Sequence, residues 1–127
     1  MNVANLSFSG AWGGLEMSSV KYTRLFHQAG HKSFEICLPD SPIHKALTEQ
    51  GLEAKTLTPS RNYLSLRATL KIRDWLMQEK VDALFLHSMK DIWLVTPALA
   101  GLPNIKLFGF ARMFFKDISK KDPLHAL

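Results

Sequence analysis

Two short stretches of this chain hold residues whose types and spacing suit chemistry. The first is Phe8-Ser9-Gly10-Ala11-Trp12-Gly13-Gly14-Leu15-Glu16, where an apolar run meets an amphipathic one. A strand, a glycine-rich turn and a helix start together make a ready anion site. The first N–H groups of a helix lack intrahelical partners, and the helix dipole leaves partial positive charge there. Glycine lets the main chain come close to a ligand because no Cβ intervenes. Gly13 and Gly14 are therefore candidates for holding a phosphate; a tight connection without a ligand is the alternative. Trp12 lies inside the loop, where it either stacks on a sugar or packs over the turn. Glu16, in the first helical turn, either faces the cleft or simply complements the dipole. The second stretch is His87-Ser88-Met89-Lys90-Asp91, which also follows an apolar run. His87 ends a strand, as a substrate contact or as a structurally bonded histidine. Ser88 and Lys90 share that end, and Asp91 suits the start of a helix. His27, His31, His44 and His125 show no ligand spacing, so no metal is expected. A single cysteine, Cys37, excludes an internal disulfide and fits a buried strand position in a reducing compartment.

The elements that position these residues alternate. Val3–Phe8 reads as a buried, mostly apolar strand. A helix from Leu15 to about Ala29 follows, with an apolar face at Leu15, Tyr22, Leu25, Phe26 and Ala29, and Gly30 stops it. Ser33–Leu38 is a second strand. Ser41 is an N-cap and Pro42 suits the first turn of a helix over Ile43–Gln50. Leu52–Leu57 is a third strand. The longest helix runs from about Tyr63 to Glu79. Its polar face is narrow, so it is expected to pack on more than one side, with Leu64, Ala68, Ile72, Trp75 and Leu76 on one and Tyr63, Leu66, Leu70 and Met77 on another. Val81–His87 is a fourth strand. A helix over Asp91–Ala100, kinked near Pro97, carries Trp93 at a core position. Ile105–Phe110 is a fifth strand. Strands alternating with helices imply right-handed crossovers and a parallel sheet. The expected fold class is α/β, a Rossmann-like three-layer αβα arrangement of strand order 3-2-1-4-5. Ligands in such sheets bind outside the carboxyl ends of the strands, between the first and fourth.

Composition narrows the class further. The chain has 127 residues, 46% hydrophobic and 21% charged, enough for one domain with a real core. No apolar stretch approaches a membrane span, and no leader is expected at the start. The net charge of +5 comes entirely from residues 60–127, where eleven Lys/Arg face six Asp/Glu. A basic surface points to an anionic partner or only to a solvated face. The loop Gly10-x-x-Gly13-Gly14 departs from G-x-G-x-x-G and Asp40 is loosely placed, which argues against a dinucleotide site.

In order and spacing, several pieces resemble the N-terminal half of GT-B glycosyltransferases, enzymes with two facing Rossmann-like domains, and among them the retaining family 4. They are Gly13-Gly14-Leu15-Glu16 opening a helix and Leu25-Phe26-His27-Gln28-Ala29-Gly30-His31-Lys32 closing it, similar to the family's L-x-x-x-G-H-x-V. His87-Ser88-Met89-Lys90-Asp91-Ile92-Trp93-Leu94 and Lys120-Lys121-Asp122-Pro123-Leu124-His125 are similar to enzymes that make lipopolysaccharide and related surface glycans. The resemblance covers the whole chain. It implies an acceptor-side domain whose loop, at Gly13 and Gly14, approaches the diphosphate of a nucleotide-sugar. No cofactor is implied beyond that co-substrate. The family's second half carries most donor contacts, and nothing here matches it. Residues 1–127 are therefore expected to form a single, incomplete domain of a two-domain enzyme, inactive alone. Many relatives have a histidine after the fifth strand, and Arg112 takes that place. Arginine stays protonated, so it binds phosphate or sugar oxygens but cannot act as a general base. No catalytic residue is assigned. The alternative is a non-catalytic Rossmann-like binding or regulatory module.

The expected partners are a nucleotide-sugar donor and a glycan or lipid-linked acceptor, with no nucleic acid. Phe114 and Phe115, with Phe110 and Met113, are apolar among Arg112, Lys116, Lys120 and Lys121. Such a cluster either meets an anionic membrane surface or packs beneath further chain. The resemblance implies a cytoplasmic protein, peripheral at the inner face of the membrane. The edge strand Ile105–Phe110 invites self-association of the fragment.

Overall fold

The computed structural model describes residues 1–59 and 66–109. Tyr63, Leu64 and the whole stretch from Phe110 to Leu127, with Arg112, Phe114, Phe115, Lys116, Lys120 and Lys121, lie outside the described residues. The elements are β1 (Asn2–Ser7), α1 (Gly14–Gln28), β2 (Lys32–Cys37), α2 (Pro42–Glu49), β3 (Glu53–Thr56), α3 (Leu66–Gln78), β4 (Ala83–Leu86), α4 (Ile92–Ala98) and β5 (Lys106–Gly109). A 3-10 turn, Met89–Asp91, leads into α4. The five strands form one sheet of order β3-β2-β1-β4-β5, and every neighbouring pair is parallel. This is the expected α/β Rossmann-like architecture.

Register sorts the side chains into two layers, since successive strand residues point to opposite faces. Ala4 pairs with Phe34 and Leu84, and Leu6 with Ile36 and Leu86. These residues meet Ala68, Ile72 and Leu76 of α3 and Leu94, Val95 and Ala98 of α4 in one apolar core. The opposite face is different. There Asn5 pairs with Glu35 and Phe85. Beyond them Cys37 joins Val20, Ile43, Leu47 and Leu52 in a smaller core beneath α1 and α2.

Local chemistry explains the ends of the helices. Ser41 caps α2, its hydroxyl accepting from the His44 amide at 3.2 Å, with Pro42 at the first position. Gly30, at φ +89°, follows α1 in the left-handed region that favours glycine. The Arg73 guanidinium donates to the carbonyls of Ala98, at 3.2 Å, and Ala100, so α3 holds the C-terminal end of α4. At the opposite edge of the sheet Lys32 and Lys55 both reach Glu79, at 2.9 and 3.5 Å.

Three expectations about faces need correction. The buried residues of α1 are Glu16, Ser19, Val20 and Thr23; Leu15, Leu25 and Ala29 are exposed, and Tyr22 and Phe26 half-buried. The helix turns its hydroxyls inward because β2 presents a carboxyl there. The second side of α3 is bare: Leu66 is 70% exposed, and Leu70 and Met77 are exposed too. Trp93 is 64% exposed rather than at a core position, while Trp75 does pack half-buried on the main core. Helical spacing put Trp93 on the wrong face: Leu94, Val95 and Ala98 are the residues that α4 buries.

Candidate functional site

β1 and β4 lie side by side at the centre of the sheet, and the chain leaves them towards opposite faces, into α1 and α4. A crevice opens outside the carboxyl ends of strands at such a switch. The structure brings both chemistry-bearing stretches there: Trp12, Gly13, Gly14 and Glu16 after β1, and His87, Ser88 and Lys90 after β4. Arg112 and the membrane candidates lie outside the described residues.

Gly13 is the N-cap of α1, in extended backbone, and no side chain caps the first turn by hydrogen bonding. A Cβ built on Gly14 would meet nothing within 4 Å, so the space over the first turn is open. A Cβ on Gly13 would stand 3.3 Å from Oε1 of Glu16. Glu16 is buried, and its carboxylate bends back over the helix start. The protein's own anion thus shares the helix end proposed for a phosphate, which is a more specific placement than dipole complementarity alone. Trp12 is exposed beside it.

His87 is buried and its Nε2 lies 2.8 Å from Oδ1 of Asn5. The ring also lies beside Tyr22 of α1, centroids 6.0 Å apart. Burial pushes its pKa down to about 4, so the imidazole is neutral near pH 7. A neutral ring carries one N–H and one acceptor nitrogen. This is the structurally bonded histidine of the two readings. Ser88 is half-buried, its carbonyl accepting from the Asp91 amide at 3.2 Å, and Lys90 is exposed.

Sequence reasoning gave Asp91 too small a part. Its carboxyl is wholly buried and makes no side-chain hydrogen bond of normal geometry among the described residues. Burial raises its pKa to about 6, against the opposing pull of the Phe8 backbone amide and the Lys90 charge. A buried acid that titrates at about 6 rather than 3.8, in the turn that follows a central strand, is a functional candidate on physical grounds. A second missed group is Glu35. It accepts hydrogen bonds from Thr23, at 3.0 Å, and from Ser19, and burial still raises its pKa to about 7. The available signal was alternation: Asn5 and Glu35 sit at inward positions of strands that otherwise read apolar. Burial, reinforced by the Glu35 charge, pushes the Cys37 thiol up to about 12, which leaves it inert.

Among the described residues no group of three or more His, Cys, Asp or Glu could hold a metal ion, and no helix is long and apolar enough to cross a membrane. No family model and no curated protein matches the chain. Solved structures do. A glycosyltransferase from Rickettsia africae superposes with a TM-score of 0.73 at 15% identity, over 91% of this chain and 32% of that one. Anabaena HepE, solved with UDP and glucose, gives 0.61 at 16% identity, over 79% and 27%. MurG of Acinetobacter baumannii gives 0.62 at 16% identity, over 94% and 38%. This chain therefore shares with these proteins, over that region, a Rossmann-like α/β fold. The chain spans about a third of the length of these proteins.

Proposed function

We propose that this chain is the N-terminal, acceptor-side half of a GT-B glycosyltransferase similar to family 4. The enzyme would move a sugar from a nucleotide-sugar to a glycan or lipid-linked acceptor in the synthesis of surface polysaccharide or lipopolysaccharide. The observation that carries this reading is the open space above Gly14, in the first turn of α1, at the β1–β4 switch of a fold shared with a glycosyltransferase. Oriented N–H groups at that turn suit a diphosphate, and the open space above Gly14 admits one. On this reading Trp12, exposed beside the turn, would border the bound donor, while buried His87, bonded to Asn5, would support the strand end beneath it. No cofactor is required beyond the nucleotide-sugar.

One observation favours the second reading, a binding module without transfer chemistry: the Glu16 carboxylate stands at the helix end where a phosphate would go. A single assay separates the two. The full-length protein is incubated with a panel of nucleotide-sugars, and sugar transfer or hydrolysis is followed. Turnover supports the enzyme; binding without turnover supports the module; neither overturns the reading. The proposed placement at an anionic membrane surface is tested by sedimentation with anionic and neutral vesicles at low and high salt. Equal, negligible binding to both ends it.

A further inference from the structure

A groove of about 290 Å³ runs along the outer side of α1, from the glycine loop to the end of α2. Its walls are Trp12, Met17, Lys21, Arg24 and Gln50. Met17, Lys21 and Arg24 recur at helical spacing and share one face of α1. From Met17 to Arg24 the helix rises about 10 Å, enough for a ligand larger than one small ion. Trp12 is 49% exposed and Met17 54% exposed. Large apolar side chains left open along a cavity mark a binding surface more often than scattered ones do. The two cations are uncompensated: no carboxylate lines the groove, and Lys21 and Arg24 enter no ion pair among the described residues. Arg24 instead donates from Nη1 to the neutral Oε1 of Gln50 at 3.3 Å, which ties its guanidinium across the α1–α2 junction.

We infer that this groove binds a sugar bearing a phosphate or a carboxylate, with the ring against Trp12 and the anion on Lys21 and Arg24. An indole offers a flat apolar face with a polar edge, suited to a sugar ring. A guanidinium takes a phosphate or carboxylate through two parallel N–H bonds, and a lysine adds a point charge. The groove starts at the loop proposed to meet the donor, so its occupant is the anionic part of an acceptor. That assignment rests on the glycosyl-transfer reading; the binding itself does not.

The test uses the 127-residue chain labelled with nitrogen-15, titrated separately with glucose 6-phosphate, glucuronate, glucose and inorganic phosphate. A Trp12→Phe variant assigns the Trp12 indole signal. The expected result is saturable shifts of that indole and of the Lys21 and Arg24 amides with the two anionic sugars, and roughly tenfold weaker responses to glucose and to phosphate. A stronger response to one anionic sugar names phosphate or carboxylate as the group preferred. Lys21→Gln with Arg24→Gln should weaken binding by roughly tenfold or more while the remaining spectrum is unchanged. Trp12→Ala should lower affinity for both anionic sugars. Three outcomes overturn the inference: no saturable shift at these signals, a response to inorganic phosphate equal to that of the sugars, or unchanged affinity in the folded double variant. No nucleotide enters this titration. A silent groove beside an active full-length enzyme therefore sinks the groove alone, and a responsive groove in a protein without turnover sinks only the transfer reading.

Discussion

Glu35 of β2 and Thr23 of α1 are joined by a 3.0 Å hydrogen bond in a layer closed to solvent, with Ser19 donating to the other carboxyl oxygen and Ser33 donating to the Thr23 carbonyl. The two hydroxyls favour the charged form, but burial outweighs them and the acid titrates at about 7 rather than 4.5. Between those values the folded chain holds a proton that the unfolded chain has released. Stability linked to Glu35 is therefore full below about pH 4.5 and is lost as pH rises through 7. The size is on the order of 3 kcal/mol. Glu35→Gln, which cannot ionise, should flatten that fall. Urea midpoints at pH 5 and pH 8 measure it; parallel behaviour of variant and wild type would sink the idea.

His87 works in the opposite sense. Its pKa of about 4 lies below the usual 6.5, so the unfolded chain binds the proton that the folded one refuses. Its contribution rises with pH from about 4 to 6.5 and is lost on acidification through 4. Nitrogen-15 shifts of the ring should report a neutral imidazole at pH 6. A midpoint near 6.5 would show that Asn5 and Tyr22 do not enclose it.

The helix start offers a separation of stability from function. A Cβ at Gly14 meets open space. Gly14→Ala should keep the fold and gain up to about 0.5 kcal/mol, through lower entropy of the unfolded chain. On the proposed glycosyl-transfer reading the same methyl group narrows the approach of a diphosphate, so turnover by the full-length protein should fall. Gly13→Ala is less clean, because the methyl group also pushes on Glu16. An unchanged rate in Gly14→Ala, with the melting point held or raised, would make this turn a connection and nothing more.

Arg73 tests the α3–α4 tie. Arg73→Ala strips two carbonyls of α4's end of their donor. The expected cost is about 1–2 kcal/mol, with Lys recovering part of it. A loss below about 0.3 kcal/mol by denaturant titration would mean that water replaces the guanidinium without penalty.

The strand order was legible because every apolar run had the length of a strand and every connection the length of a crossover helix. Gly30 and the pair Ser41-Pro42 marked their boundaries correctly. The buried face of α1 was not legible. Pattern reading assumes an apolar interior, and here Glu35 and Asn5 face inward, so the helix above them buries Ser19 and Thr23 and leaves Leu15 and Leu25 outside. Topology was enough to bring Gly13, Gly14 and His87 to the same end of the sheet, after β1 and β4. Asp91 escaped because a helix-start aspartate has an ordinary explanation, and only its complete burial removes it.

The unequal layers also set how the molecule opens. Beneath α3 and α4 the contacts are oily and continuous, while beneath α1 the apolar contacts of Val20 and Phe26 are interrupted by hydroxyls, an amide, an imidazole and an acid. Such contacts are strong only while complete, and each is weakened once water enters. Partial unfolding should therefore begin with α1 peeling from the sheet. In deuterium exchange the α1 amides would release protection before those of α3, faster at pH 8 than the intrinsic rate alone requires, because the ionised Glu35 then prefers water.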